Sequence, residues 1–153
     1  MTVDERLAEL GIALPHPGNP VASYVMAQRS RSLLFLSGHI AKRDGVPVVG
    51  TVGGDVTREE AQQLARQVAI DLLSTVRAAV SSLDSVRVVK VTGFVRSAPG
   101  FTEQPFVING ASDLFVDVLG ERGQHARSAV GVAELPLGAA LEIEAVFEDV
   151  AET

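Results

Sequence analysis

The sequence predicts an α+β fold: one mixed sheet with two long helices packed on a single face. Three observations carry that prediction. Two stretches, about 58–81 and 103–119, repeat apolar residues at three- and four-residue steps, the period of a helix with one buried side. Five others, about 21–28, 32–37, 86–96, 126–134 and 139–148, have the length and the apolar, often β-branched, character of strands. Their order is ββαβαββ, and strand pairs interleaved with two helices form a layered α+β domain. At 153 residues, 46% of them apolar and 21% charged, the chain supplies one core.

The elements follow in order. Thr2 and Glu5 have capping-box spacing, and Val3, Leu7 and Leu10 share a helical face before Gly11 stops a short helix. Three prolines within 15–20 then force an extended arm. Residues 1–20 are thus a short helix and Pro-rich arm ahead of a domain at 21–153. Strands at 21–28 and 32–37 are expected to join as a hairpin through Arg29-Ser30-Arg31. In the second strand Leu33 and Phe35 point one way, Leu34 and Leu36 the other, so this strand must be covered on both faces. The glycine-rich stretch 38–56 reads as a connecting loop. Thr57 and Glu60 form a second capping box. Ala61, Leu64, Ala65, Val68, Leu72, Val76, Ala79 and Val80 continue it as the strongest helix. The strand at 86–96 closes at Ser97-Ala98-Pro99-Gly100. The second helix buries Val107, Ala111, Leu114, Phe115 and Val118 and ends at Gly120. Leu135-Pro136-Leu137-Gly138 joins the last two strands.

Composition narrows the function. Thirteen basic residues against 19 acidic give a net charge of −6. With no block of Lys or Arg and few aromatics, nucleic acid and anionic membrane are not expected partners. No apolar run approaches the roughly 20 residues of a membrane span. The first residues lack the pattern of a signal peptide, and with no cysteine a cytoplasmic location fits. The missing cysteines also exclude disulfides, Cys-ligated zinc, iron–sulfur clusters and a cysteine nucleophile.

The last strand pair carries the chemistry. Pairing Glu134 with Ala139 as a hairpin puts Val130 and Val132 on one face with Leu141 and Ile143, expected to be the core face. Arg127, Ala129 and Gly131 then share the other face with Glu142, Glu144 and Val146. Small residues beside a lone Arg fit a face that meets another subunit and leaves a pocket. Arg127 suits a carboxylate ligand, since its planar fork donates two parallel hydrogen bonds. Its alternative is an ion pair with Glu142 or Glu144. Either glutamate could orient a water as general base, or stand on a solvated strand face. His16, His39 and His125 have no ligand spacing, so no metal is expected. Gly50-x-x-Gly53-Gly54 lacks the Lys-Ser/Thr of a P-loop, and Ser37-Gly38 is no nucleophile elbow.

The run Ala126-Arg127-Ser128-Ala129-Val130-Gly131-Val132-Ala133-Glu134-Leu135-Pro136, followed by Leu141-Glu142-Ile143-Glu144-Ala145, resembles the signature of the RidA/YjgF reactive-intermediate deaminases. Ser23-Tyr24-Val25, Phe35-Leu36-Ser37-Gly38-His39-Ile40 and Val107-Ile108-Asn109 are similar to three further family segments in the same order. The resemblance spans about residues 20–149. It implies a chorismate-mutase-like fold assembled as a homotrimer with pockets between subunits. It implies hydrolysis of 2-imino or enamine acids to 2-keto acids and ammonia, without cofactor or metal. Arg127 would bind the substrate carboxylate, Glu142 would hold the attacking water, and Tyr24 would line the pocket and assist proton transfer. Asn109 would stand at the wall, and backbone groups of Gly38 and Ala129 would touch the ligand. The arm at 1–20, the longer 41–56 loop, His39, Met26-Ala27 and Ala129 depart from the best-studied branch and mark a longer, divergent subgroup.

Hairpin register leaves one difficulty. Glu142 faces Gly131, four positions along the strand from Arg127, or roughly 13 Å. A bulge, convergence of the long side chains, or a glutamate from a neighbouring chain would resolve it. Glu142 is the choice on the resemblance and Glu144 its rival. The competing function is a non-catalytic module that binds small carboxylates or client proteins in the same pocket. Endoribonuclease activity is disfavoured by the acidic charge and the lack of a suitable His pair.

Overall fold

Thr2 and Glu5 cap the first helix reciprocally, the Thr2 hydroxyl accepting from the Glu5 amide and the Glu5 carboxylate from the Thr2 amide. In this computed structural model, which describes residues 1–20 and 22–152, that helix is α1 (Val3–Glu9). Val3 and Leu7 on its inner side are buried in the main core. The arm beyond it is extended and is tied to a later helix, the Ser74 hydroxyl donating to the Pro15 carbonyl.

Strand β1 is Ala27–Ser30 and β2 is Leu33–Ile40. The first strand therefore begins later than the expected 21–28, and Val21 lies outside the described residues. The break is local: the Ser37 amide still donates to the Met26 carbonyl in register, but the Ser37 hydroxyl takes the Val25 carbonyl and the ladder ends there. The hairpin turn is Arg31-Ser32, one step beyond the expected tripeptide, with Arg31 in the left-handed region at φ 55°. Residues 38–56 are not a plain loop. They contain a two-stranded hairpin, β3 (Lys42–Arg43) and β4 (Val46–Pro47), turned by Asp44-Gly45 at φ 52° and 76°. Asp-Gly between short extended runs is a strong two-residue turn signal.

Helix α2 (Arg58–Ala79) starts at the Thr57–Glu60 capping box and buries Ala61, Leu64, Ala65, Val68, Leu72 and Val76. Helix α3 (Gln104–Leu119) buries the expected Val107, Ala111, Leu114, Phe115 and Val118. The two helices approach closely at Gly110, where a β-carbon would stand 2.0 Å from the Gln62 carbonyl oxygen. No helix among the described residues is long and apolar enough to cross a membrane.

The remaining strands are β5 (Val86–Arg96), β6 (Ala126–Val132) and β7 (Leu141–Asp149). The five-stranded sheet has the order β1-β2-β7-β5-β6. This overturns the terminal hairpin: β6 and β7 are not partners. β5 lies between them, parallel to β6 and antiparallel to β7. The β5–α3–β6 segment is a crossover unit, and the 133–140 connection then passes the end of β5, where the Arg96 amide donates to the Ala140 carbonyl.

The new pairing exchanges the faces of β6. Arg127, Ala129 and Gly131 stand beside Val91, Gly93 and Val95, on the helix-covered side. Val130 and Val132 stand beside Phe94 and Arg96 on the open side. A shift of one residue in which side chain faces inward moves a whole strand's set. For β7 the expected alternation holds: Leu141 and Ile143 are buried, Glu142 and Glu144 face out. Leu34 and Leu36 enter the core, whereas Phe35 is 48% exposed on the open face, beside Val146.

Candidate functional site

Parallel pairing sets Arg127 on the outer strand beside Val91, with its side chain running to α3. There Nη1 donates to Asn109 Oδ1 at 2.8 Å and to Ser112 Oγ at 3.2 Å. Asn109 and Ser112 are three residues apart and so lie on one face of α3. Both Nη1 hydrogens are thereby used. The Nε–Nη2 edge, the edge that grips a carboxylate with two parallel bonds, has no partner among the described residues. The ion-paired alternative for Arg127 is absent there: none of the ion pairs among those residues includes it. Ala129 follows on the same face, opposite Gly93.

A second group forms at the far end of β2. Ser37, through its bonds to Val25 and Met26, holds Tyr24 at the mouth of a cavity of about 1090 Å³. Gly38 and Glu142 line it, while Glu144, one strand repeat away, does not. Glu142 lies directly over Gly38, where a β-carbon would stand 2.8 Å from its Oε1. Burial, and then the neighbouring Glu144 charge, raise the Glu142 carboxyl above the usual glutamate range. A carboxylate so shifted is a better general base near neutral pH.

The six sequence-derived residues therefore divide into two sets. Asn109, Arg127 and Ala129 form one, and Tyr24, Gly38 and Glu142 the other. Arg127 does not line the cavity. In register Arg127 matches Val91, which matches Ala145, three residues from Glu142. Two strand spacings across and three residues along put the two Cα atoms roughly 14 Å apart. Their side chains leave opposite faces of the sheet. Neither a bulge nor long side chains can bring the pair together within one chain.

Side chains outside the six complete both groups. His125 Nε2 lies 2.9 Å from Ser112 Oγ, and its Nδ1 lies 2.6 Å from the Gly123 carbonyl oxygen. His39 is buried at the cavity wall between the Ser37 carbonyl and Thr75 Oγ1, and burial lowers its pKa. Asp71 on α2 also lines the cavity, its carboxyl raised by burial. The available signal for Ser112 was its spacing from Asn109. His16, His39 and His125 have separate partners, and no group of three metal-ligand side chains forms among the described residues.

The sequence model of the family described as Endoribonuclease L-PSP matches residues 16–148. Protein TCP17 of Trypanosoma cruzi is 47% identical over 149 residues, 95% of this chain and 93% of that protein. The 2-iminobutanoate/2-iminopropanoate deaminase of Dermatophagoides farinae is 31% identical over 137 residues, 88% of this chain and 92% of that enzyme. Among solved structures, Atu1372 of Agrobacterium tumefaciens, described as of unknown function, matches with a TM-score of 0.88 at 45% identity, covering 96% of this chain and 92% of that one. YyfA of Yersinia pestis, described as a conserved Rid family protein, shares the fold with a TM-score of 0.61 at 24% identity, covering 89% and 94% of the two chains. The mixed α+β fold, the Arg127 segment at its sheet edge and these matches agree: the chain belongs to the Endoribonuclease L-PSP family, the RidA/YjgF family.

Proposed function

We propose that the protein hydrolyses 2-imino and enamine acids to 2-keto acids and ammonia, in the cytoplasm and without a cofactor, at a pocket shared by two copies of the chain in a chorismate-mutase-like homotrimer. The observation that carries this reading is the division of the site. Arg127 offers a carboxylate-binding edge with no partner among the described residues on the helix-covered side of the sheet, and Glu142 leaves the opposite face and lines a cavity that Arg127 does not reach. A second chain is the simplest way to bring them face to face. The open sheet face, with Phe35 and Val130 48% and 42% exposed, supplies apolar surface for that contact. The likeness to the Dermatophagoides farinae deaminase supports the reaction class.

The chemistry asks little of the protein. An imine protonated on nitrogen is already electrophilic at C2. Arg127 holds the carboxylate, Glu142 takes a proton from water as its oxygen bonds to C2, and Tyr24 assists proton transfer to nitrogen. The new hydroxyl then gives its proton to Glu142 as C2=O forms and the C2–N bond breaks, releasing ammonia and the keto acid. The test generates imino acids in situ with an amino-acid oxidase and follows ammonia. Added protein should accelerate its release, and Arg127→Ala should abolish the effect while leaving assembly intact. Equal rates with and without protein, over several imino acids, defeat the proposal. Keto-acid binding without turnover would leave the carboxylate-binding module.

A further inference from the structure

Arg127 is held by a relay that reaches an ionisable ring. The Gly123 carbonyl can only accept, so His125 Nδ1 carries the proton and donates to it at 2.6 Å. The neutral ring's Nε2 is then an acceptor, and the Ser112 hydroxyl donates to it at 2.9 Å. The Ser112 oxygen keeps lone pairs for Arg127 Nη1 at 3.2 Å, and Asn109 Oδ1 takes the other Nη1 hydrogen at 2.8 Å. Every donor and acceptor in this chain of contacts is matched in one way only. The guanidinium is fixed by its Nη1 corner, which leaves the Nε–Nη2 edge presented.

We propose that His125, acting through Ser112, is a positioning residue for the Arg127 carboxylate anchor, and that its neutral form sets the anchor while its protonated form releases it. The proposal rests on Arg127 being that anchor. Protonated His125 would carry hydrogen on both nitrogens. Ser112 Oγ would then face N–H donors from two cations, and its own hydroxyl hydrogen would lose its acceptor. The relay favours the neutral ring, and the surroundings agree. Burial lowers the His125 pKa, the Gly123 carbonyl opposes this, and the Arg127 charge lowers it further. The elements around the ring are few: β6 presents Arg127, α3 presents Ser112 and Phe115, which meets the ring edge-on, and the preceding turn presents the Gly123 carbonyl.

The experiment measures pyruvate binding by calorimetry and imine-hydrolysis kinetics between pH 5.5 and 8. At pH 8, Ser112→Ala and His125→Phe should weaken pyruvate binding about tenfold, the scale of one hydrogen bond to a charged group. The loss should fall on KM more than on kcat, and His125→Gln, which keeps an acceptor, should recover most of it. In the unmodified protein, pyruvate affinity should fall severalfold as pH is lowered through the His125 titration, which burial and the Arg127 charge place below the ordinary histidine range. Protonation of Glu142, whose carboxyl is raised by burial and by Glu144, would act the other way, by relieving repulsion. His125→Gln should flatten the dependence. Long-range ¹⁵N–¹H spectra should report the Nδ1–H tautomer for His125 at pH 8. Binding that needs Arg127 but ignores all three variants and pH overturns the relay alone, and so does an Nε2–H tautomer. Binding indifferent to Arg127→Ala overturns the anchor itself and the relay with it.

Discussion

Arg127 and Glu142 leave opposite faces of one sheet, with β5 between the strands that carry them. Each is furnished with its own surroundings: Asn109 and Ser112 around the guanidinium, Gly38 and a cavity around the carboxylate. The proposed site, which uses both, would draw them from two chains.

Subunit complementation follows from that relationship. Arg127→Ala and Glu142→Gln proteins should each be inactive alone. Unfolded together and refolded as a mixture, they should regain activity, because some pockets then combine an intact Arg127 with an intact Glu142. Statistical mixing in a trimer gives one pocket in four of the intact kind when the two proteins are equimolar. Ammonia release at about a quarter of the unmodified rate is expected. A mixture no better than its components would place both residues' work within one chain, against the observed faces.

Glu142 should also reveal itself in stability. Its carboxyl is raised by burial and by Glu144, so the folded chain holds that proton to higher pH than the unfolded chain does. Between the two pKa values the native state binds more protons, and stability falls as pH rises through this window. Above it, the charged Glu142 is a standing cost. Glu142→Gln should therefore raise Tm at pH 7, by about 1–3 °C for a domain of this size. The advantage should disappear below the ordinary glutamate pKa, where both states are protonated. Thermal melts at pH 4 and pH 7 separate this from a uniform packing gain.

Gly110 tests the packing that presents Asn109. A β-carbon there would stand 2.0 Å from the Gln62 carbonyl oxygen, which is backbone and cannot swing away. Gly110→Ala must push α3 off α2 and should cost about 1–3 kcal/mol in chemical denaturation. A neutral result would mean that the two helices do not approach so closely.

Local elements were legible in the sequence because their signals are local. Thr2 with Glu5 and Thr57 with Glu60 fixed two helix starts, and the three- and four-residue apolar steps named the buried faces of α2 and α3. The partner of β6 was not legible. Its seven residues put Ala126, Ser128, Val130 and Val132 on one face and Arg127, Ala129 and Gly131 on the other, so the two valines pointed to the wrong face as the core side and the small residues on the helix-covered side gave no apolar signal. Chain proximity then favoured a hairpin with β7, and the crossover through α3 decided otherwise. The six site residues came from motif likeness. Their separation into two groups came from topology, which the motif does not encode. The Ser112–His125 contact joins a helix to the segment before β6, and no periodicity links them.

Gly38 gives the sharpest test of the cavity side. It follows Ser37, the residue that holds the Tyr24 segment, and precedes the buried His39, at an irregularity in the β2–β7 ladder between Leu36 and His39. The Glu142 side chain occupies the space a β-carbon would take: its Oε1, Cδ and Cγ would stand 2.8, 2.9 and 3.1 Å away. Those atoms are the movable end of a side chain, so Gly38→Ala should fold normally and shift the carboxyl instead. A misplacement near 1 Å of the group proposed to position water is expected to lower kcat by about 10- to 100-fold. Pyruvate binding, which the proposal assigns to Arg127 of a second chain, should change far less. Circular dichroism and a thermal melt check the fold, and steady-state kinetics the activity. If Gly38→Ala retains full kcat, Glu142 does not hold the attacking water from its place over Gly38.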